Sequence, residues 1–330
     1  MTKCTTRIWF FDNMKAVLIF FVVLGHVLTS GRVPFLYQFI YLFHMPLFAF
    51  CSGYLAKDNP IKIITNVIYP YIIFQILYGV FDRFYMGSGR VLTLTKPIEI
   101  MWYMMALTIW LLFLPLISVL ISSKKNMIIT VCVTLILGIV VGFDEKIGTY
   151  LSLSRVFYFL PFFVIGFCVK NAMPAEKFLQ AMSKWYVKLS SGVLSLGILI
   201  WLYLFHDKIT TKWLWGFYSY AEEGYYFTTR MAFYLCTFII SIFIISIMPQ
   251  QKMFFSYIGR RCLQIYLLHG FIIRILEKNK VIRYDKFSYT FIVGISVLIV
   301  FVLSLKIWDQ LLKPLFSYPF PIAPPRDEIK

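Results

Sequence analysis

Three of the chain's four histidines lie inside long apolar runs: His26 ends MKAVLIFFVVLGH, His44 sits in FHMPLFAFCSGYL and His269 in IYLLHG. A hydroxyl is a poor nucleophile at neutral pH, and an imidazole that takes its proton as it attacks a thioester contributes about 10²–10⁴-fold. The first run is the most informative, because Arg7, Asp12 and Lys15 precede or enter it. Lys15 and His26 are eleven residues apart. At about 100° and 1.5 Å per residue they share one helix face and stand about 16 Å apart along the axis. Asp12, one turn before Lys15, lies on the same stripe. Taken singly, a histidine in a helix is often a satisfied structural residue and a lysine at a helix end snorkels. On one face of an apolar run, where ionisable groups are costly, they become a candidate site.

Other residues of the right type are scattered. Pro46 removes a backbone N–H and frees the carbonyl of Leu42, so His44 either serves the chemistry or bonds the loosened backbone. Ser52 and Gly53 near the end of that run permit close backbone approach. Glu99 and Trp102 open a later run, Glu99 reading as an interface carboxylate. Arg155 and Arg230 each start another, where snorkelling is the default. Arg260 and Arg261 are an anchor at the basic membrane face or a grip for phosphate. His206, beside Asp207 and Lys208, reads as a solvated loop residue, and Glu222–Glu223 with Tyr225 and Tyr226 as a weak sugar-holding cluster. No phosphate loop, nucleophile elbow or zinc-binding helix occurs, and no metal is expected.

These residues need elements to hold them, and composition says which. Sixty per cent of the 330 residues are hydrophobic and 14% are charged, with mean hydropathy +0.77. A typical soluble domain is about a quarter charged. Soluble enzyme, disordered chain and secreted disulfide scaffold are thereby excluded. Crossing a hydrocarbon core takes about 20 helical residues, and ten runs approach that length: 13–30, 35–56, 61–82, 98–121, 126–143, 155–170, 188–206, 228–248, 261–277 and 288–310. The alternation of barrel strands is missing. The expectation is an all-α, polytopic membrane bundle of about ten transmembrane helices.

The 32 Lys and Arg against 15 Asp and Glu give a net charge of +17. They fall mostly in short segments between runs, which speaks for orientation and anionic lipid rather than nucleic acid. Their bias puts the amino terminus in the cytoplasm, and ten spans put both termini there. The segment with Arg274, Lys278, Lys280, Arg283 and Lys286, counted as an outer loop, runs against that bias. The six cysteines show no paired metal-ligand spacing and read as small buried hydrophobes. Residues 1–312 are expected to form the membrane domain, and 313–330, with five prolines, a short extended cytoplasmic tail.

The motifs together resemble the membrane-bound acyltransferase 3 family, particularly its fucose 4-O-acetylase-like branch. Lys15-x10-His26, with Arg7 and Asp12 upstream, is similar to the family's first-span Arg/Lys-x10-His motif. Phe43–Leu55 is similar to its second-span signature, Met101–Leu107 to its fourth span and Ile265–Gly270 to a late Tyr-Leu-x-His span, and Ser154–Phe167 also fits. The resemblance covers essentially the whole chain. It implies transfer of an acetyl group from cytoplasmic acetyl-CoA to a hydroxyl of a cell-envelope sugar, in the plasma membrane of a bacterium. His26, Asp12 and His44 would then be the catalytic candidates. Lys15, Arg7 and Ser52 would hold acetyl-CoA, and Glu99, Trp102, Arg155 and His269 the carbohydrate acceptor. Only Lys57 and Lys62 remain of the basic cluster that usually follows the second span, so Arg260 and Arg261 are its expected substitutes. A transporter or flippase for lipid-linked glycan, with the histidines as a proton relay, is the competing reading; a non-catalytic subunit of a polysaccharide synthase is a third.

Overall fold

A computed structural model describes residues 7–28, 34–89, 91–148, 150–279, 281 and 289–316. Among these there is no strand. The helices in chain order are α1 (Trp9–Val27), α2 (Pro34–Leu55), α3 (Pro60–Ile63), α4 (Tyr69–Phe81), α5 (Trp102–Leu112), α6 (Leu114–Leu120), α7 (Lys124–Val140) and α8 (Leu153–Ala172). There follow α9 (Ala175–Met182), α10 (Trp185–Phe205), α11 (Tyr220–Glu223), α12 (Phe227–Ile247), α13 (Ser256–Arg260), α14 (Cys262–Lys278), α15 (Tyr289–Leu303) and α16 (Lys306–Phe316).

Among the described residues, seven helices are long and apolar enough to cross a membrane, and two bent pairs raise the number to nine. Every expected run contains a helix, but proline reshapes several. α3 and α4 join into one 27-residue span, Pro60–Met86, through a π-helical turn, Ile64–Ile68. Pro70, just past that turn, has no N–H for the carbonyl four residues back. Pro115 lies at the junction of α5 and α6, where the axis bends by 54°. α15 and α16 meet at 55°. α16 carries the helix through Lys313 and Pro314 to Phe316, which corrects the expectation of an extended chain from residue 313. A proline removes one backbone bond without unwinding the turns around it. The rest of that segment, 317–330, and the basic residues Lys280, Arg283 and Lys286 lie outside the described residues.

Two close approaches fix the bundle around α1 and α2. Gly53 on α2 abuts the carbonyl of Phe163 on α8, and Gly166 on α8 abuts the carbonyl of Phe50 on α2. A methyl group at either position would overlap the opposing backbone, so the small residues set the helix spacing. Gly259 on α13 lies equally close to the carbonyl of Asp12 on α1. The proline within α2 is also accommodated from outside. The Leu42 carbonyl, freed by Pro46, accepts a hydrogen bond from Thr237 Oγ1 on α12 at 2.8 Å.

Several charged residues behave differently from expectation. Arg230 does not snorkel; it is fully buried. Its terminal nitrogens donate to the carbonyls of Gly138 and Tyr218 and to the Tyr225 hydroxyl, and its guanidinium lies over the rings of Tyr158 and Tyr220. Arg274 and Lys278 belong to α14 rather than to a loop. The acidic pair of the proposed sugar cluster is used locally: Glu222 closes a capping box with Ser219 at the start of α11. Glu223 pairs with Lys212 at 2.8 Å, and that hydrogen bond raises the pKa of the lysine. His206 is in a 3-10 turn, and its carbonyl, like that of Ile209, accepts from the buried Gln38 amide.

Candidate active site

One face of α2 organises the site. Tyr37, Tyr41, His44, Met45, Phe48 and Ser52 recur at helical spacing, and all of them line one or other of two cavities. The first, about 260 Å³, is lined by Tyr37, Tyr41, His44 and Met45 together with Val22 and His26 of α1. Glu99, Trp102, Arg155, Trp215 and Tyr266 complete its polar and aromatic wall. The second, about 220 Å³, is lined by Met45, Phe48 and Ser52 with Lys15 of α1, Tyr103, Arg260 and Tyr266. The two cavities therefore follow one another along the bundle axis, and Met45 and Tyr266 line both. Lys15 belongs to one chamber and His26 to the other, separated by about 16 Å of helix rise.

In the His26 chamber the ring of His26 lies 5.3 Å from that of His269. His269 is fully buried and does not line either cavity. It stands behind His26, with Nδ1 bonded to the Ile265 carbonyl at 3.1 Å, and so is away from the acceptor position expected for it. His44 does not bond the carbonyl that Pro46 frees, which Thr237 takes instead. The His44 ring lines the chamber, while Nδ1 bonds the Ile40 carbonyl, one turn back on its own helix, at 2.7 Å. A carbonyl can only accept, so in both histidines Nδ1 carries the hydrogen and Nε2 is the basic atom.

Glu99, Trp102 and Arg155 meet in the same chamber, as their common assignment requires. Glu99 has a backbone φ of +34°, a conformation that costs a non-glycine residue energy and persists only when its surroundings enforce it. Two groups enforce it. The buried Gln75 amide of α4 bonds the carbonyls of Thr93 and Lys96 and the amide of Ile98, shaping the segment that leads into Glu99. Arg274 of α14 then pairs with the Glu99 carboxylate at 2.6 Å and with Asp82. The Arg155 guanidinium lies over Trp102 at 4.9 Å and Phe217 at 5.0 Å. Its Nε donates to the Trp215 carbonyl at 3.2 Å. Arg155 is thus turned inward rather than snorkelling.

At the other end Lys15 and Arg260 line the second chamber with Ser52, whose hydroxyl is 2.9 Å from that of Tyr103. Asp12 is buried and pairs with Lys15 at 3.1 Å and with Arg7. The Arg7 hydrogen bond to Asp12 raises the pKa of that guanidinium. Asp12 lines neither cavity and precedes His26 by fourteen residues, about 21 Å of helix rise. That corrects its catalytic assignment: it is a clamp on two cations. Arg7 is likewise away from both cavities. Arg261 pairs with Asp309 of α16 at 2.6 Å, so of the two adjacent arginines only Arg260 faces a chamber.

Sequence reasoning missed Tyr37, Tyr41, Met45 and Tyr266. The first two had a legible signal, since they precede His44 by seven and three residues on one helical face. Arg274 had one too, as a charge five residues after His269 in an apolar run. Trp215 and Gln75 had none, because the loop and helix that carry them reach the site only through tertiary packing.

Among the described residues there is no cluster of three or more His, Cys, Asp or Glu that could hold a metal ion. No curated protein and no solved structure matches the chain. The model of one family, described as an acyltransferase domain, matches residues 8–306. With nearly its whole length inside that match, and with several apolar helices long enough to span a bilayer, the chain belongs to the acyltransferase 3 family of multi-pass membrane acyltransferases.

Proposed function

We propose that the protein moves an acetyl group from cytoplasmic acetyl-CoA to a hydroxyl of a cell-envelope sugar, in the plasma membrane of a bacterium, as its resemblance to the fucose 4-O-acetylase-like branch implies. One observation carries the reading: a chamber with two cations abuts a chamber with two histidines and an aromatic wall, and Met45 and Tyr266 line both. In this reading the phosphates of the carrier meet Lys15 and Arg260, and its thioester reaches the boundary between the chambers. The sugar ring lies against Trp102, Tyr37 and Tyr41.

The chemistry then balances within the site. The acceptor oxygen bonds to the thioester carbonyl carbon as His26 takes the hydroxyl proton. Collapse of the tetrahedral intermediate breaks the carbon–sulfur bond, and His26 returns the proton to the departing sulfur, leaving an O-acetyl ester and free CoA thiol. Transfer in two steps through an acetyl-imidazole gives the same products.

The test is thiol release from acetyl-CoA by the full chain supplied with envelope glycan. His26→Ala lowers this rate by about 10²-fold or more while circular dichroism and the elution profile stay unchanged. Release at the normal rate from that folded variant would overturn the proposal. Glycan movement with no thiol released by the intact protein would favour a transporter instead.

A further inference from the structure

The bundle uses four arginines to different ends, with Arg230 and Arg274 buried and Arg155 and Arg261 half-buried. Arg230 spends its terminal nitrogens on two carbonyls and a tyrosine hydroxyl. Arg274 is paired with Asp82 and Glu99, and Arg261 with Asp309. Arg155 alone of the four lines the His26 chamber. Among the described residues no carboxylate pairs with it, and Nε to the Trp215 carbonyl is its one hydrogen bond. A guanidinium has five N–H donors, so both terminal nitrogens are uncommitted. Arg155 is half-buried, and holding a cation partly out of water without a counter-ion is costly, a cost that the rings of Trp102 and Phe217 offset only in part. Glu99 shares the chamber, but it is held by Arg274, which it shares with Asp82, and in this reading it accepts hydrogen bonds from sugar hydroxyls.

We propose that the acceptor sugar is acidic, carrying a carboxylate or a phosphate ester that Arg155 binds. The inference rests on the acyl-transfer reading of the same chamber and names its substrate class. The planar fork of Arg155 matches either oxyacid bidentately, and Trp102 beneath it keeps the fork in one plane. Bound there, the acid group fixes the sugar at one end while Glu99 fixes its hydroxyls, so that one hydroxyl is presented to His26.

The experiment uses the full chain in lipid nanodiscs and three probes: a trisaccharide containing glucuronic acid, its glucose counterpart and its glycerol-phosphate-substituted counterpart. Binding is read by quenching of tryptophan fluorescence, and transfer by thiol release. At least one acidic probe binds about tenfold or more tightly than the neutral one, and the arm that does so identifies carboxylate or phosphate. Arg155→Gln removes the preference and Arg155→Lys keeps part of it. The proposal is overturned if the neutral probe binds as tightly as both acidic ones, a comparison that the wild-type chain alone supplies should the variants fail to fold. It is also overturned if Arg155→Gln slows transfer alike for every probe and leaves the binding preference intact. Tight acidic binding with no thiol released would instead sink the acyl-transfer reading, and with it the role of acceptor, while leaving Arg155 as the site that binds an acidic glycan.

Discussion

Lys15 is held between two demands. Asp12 claims it at 3.1 Å, yet the lysine also lines the chamber opposite Arg260, where a polyanionic carrier would compete for it. Charge-assisted contacts to phosphate are among the strong hydrogen bonds. Lys15→Ala is therefore expected to raise the KM for acetyl-CoA about tenfold with kcat little changed, measured by thiol release. An unchanged KM would assign the lysine to its carboxylate clamp alone. The pairing of Lys15 with His26 was legible in the sequence because helix geometry fixes it. The fate of Arg155 was not. What turns its side chain inward is Trp102, Trp215 and Phe217, residues that lie about fifty to sixty positions away on either side, and no local pattern announces them.

At the scale of the element, α2 carries the argument. Its stripe of tyrosine, histidine, methionine and serine lines both chambers, and Pro46 lies within the length of that stripe. Thr237 satisfies the carbonyl that the proline frees. Leaving a buried carbonyl without a donor costs about 1–3 kcal/mol, so Thr237→Val is expected to destabilise the protein by that amount in thermal or denaturant unfolding. Adding Pro46→Ala restores a backbone N–H to Leu42 and should recover part of the loss. If the two changes were simply additive, Thr237 would not be acting on that carbonyl. The presence of the helices was readable from apolar length. Their breaks were less so, because whether a proline bends a helix, as at Pro115, or is absorbed, as at Pro314, depends on which neighbour takes up the orphaned group.

The molecule as a whole is a bundle with recesses that follow one another along its axis and meet at two side chains. Met45 is unbranched and adaptable, and it shares the boundary with Tyr266, whose hydroxyl is tied to the Ile100 carbonyl. Met45→Trp should block passage, lowering acetyl transfer by about tenfold or more while acetyl-CoA affinity measured by equilibrium binding stays within about twofold. Loss of both together would mean that Met45 supports the carrier chamber itself. The basic segment near the end of α14, which opposed the charge bias read from sequence, is partly explained at this scale. Arg274 is neutralised by Asp82 and Glu99, residues of distant segments. A boundary of this kind has an electrical consequence. A continuous wet bore through a bilayer would leak protons, whereas two recesses that meet at a thioether and a phenol ring would, on the proposed reading, hand a small neutral group across and still insulate.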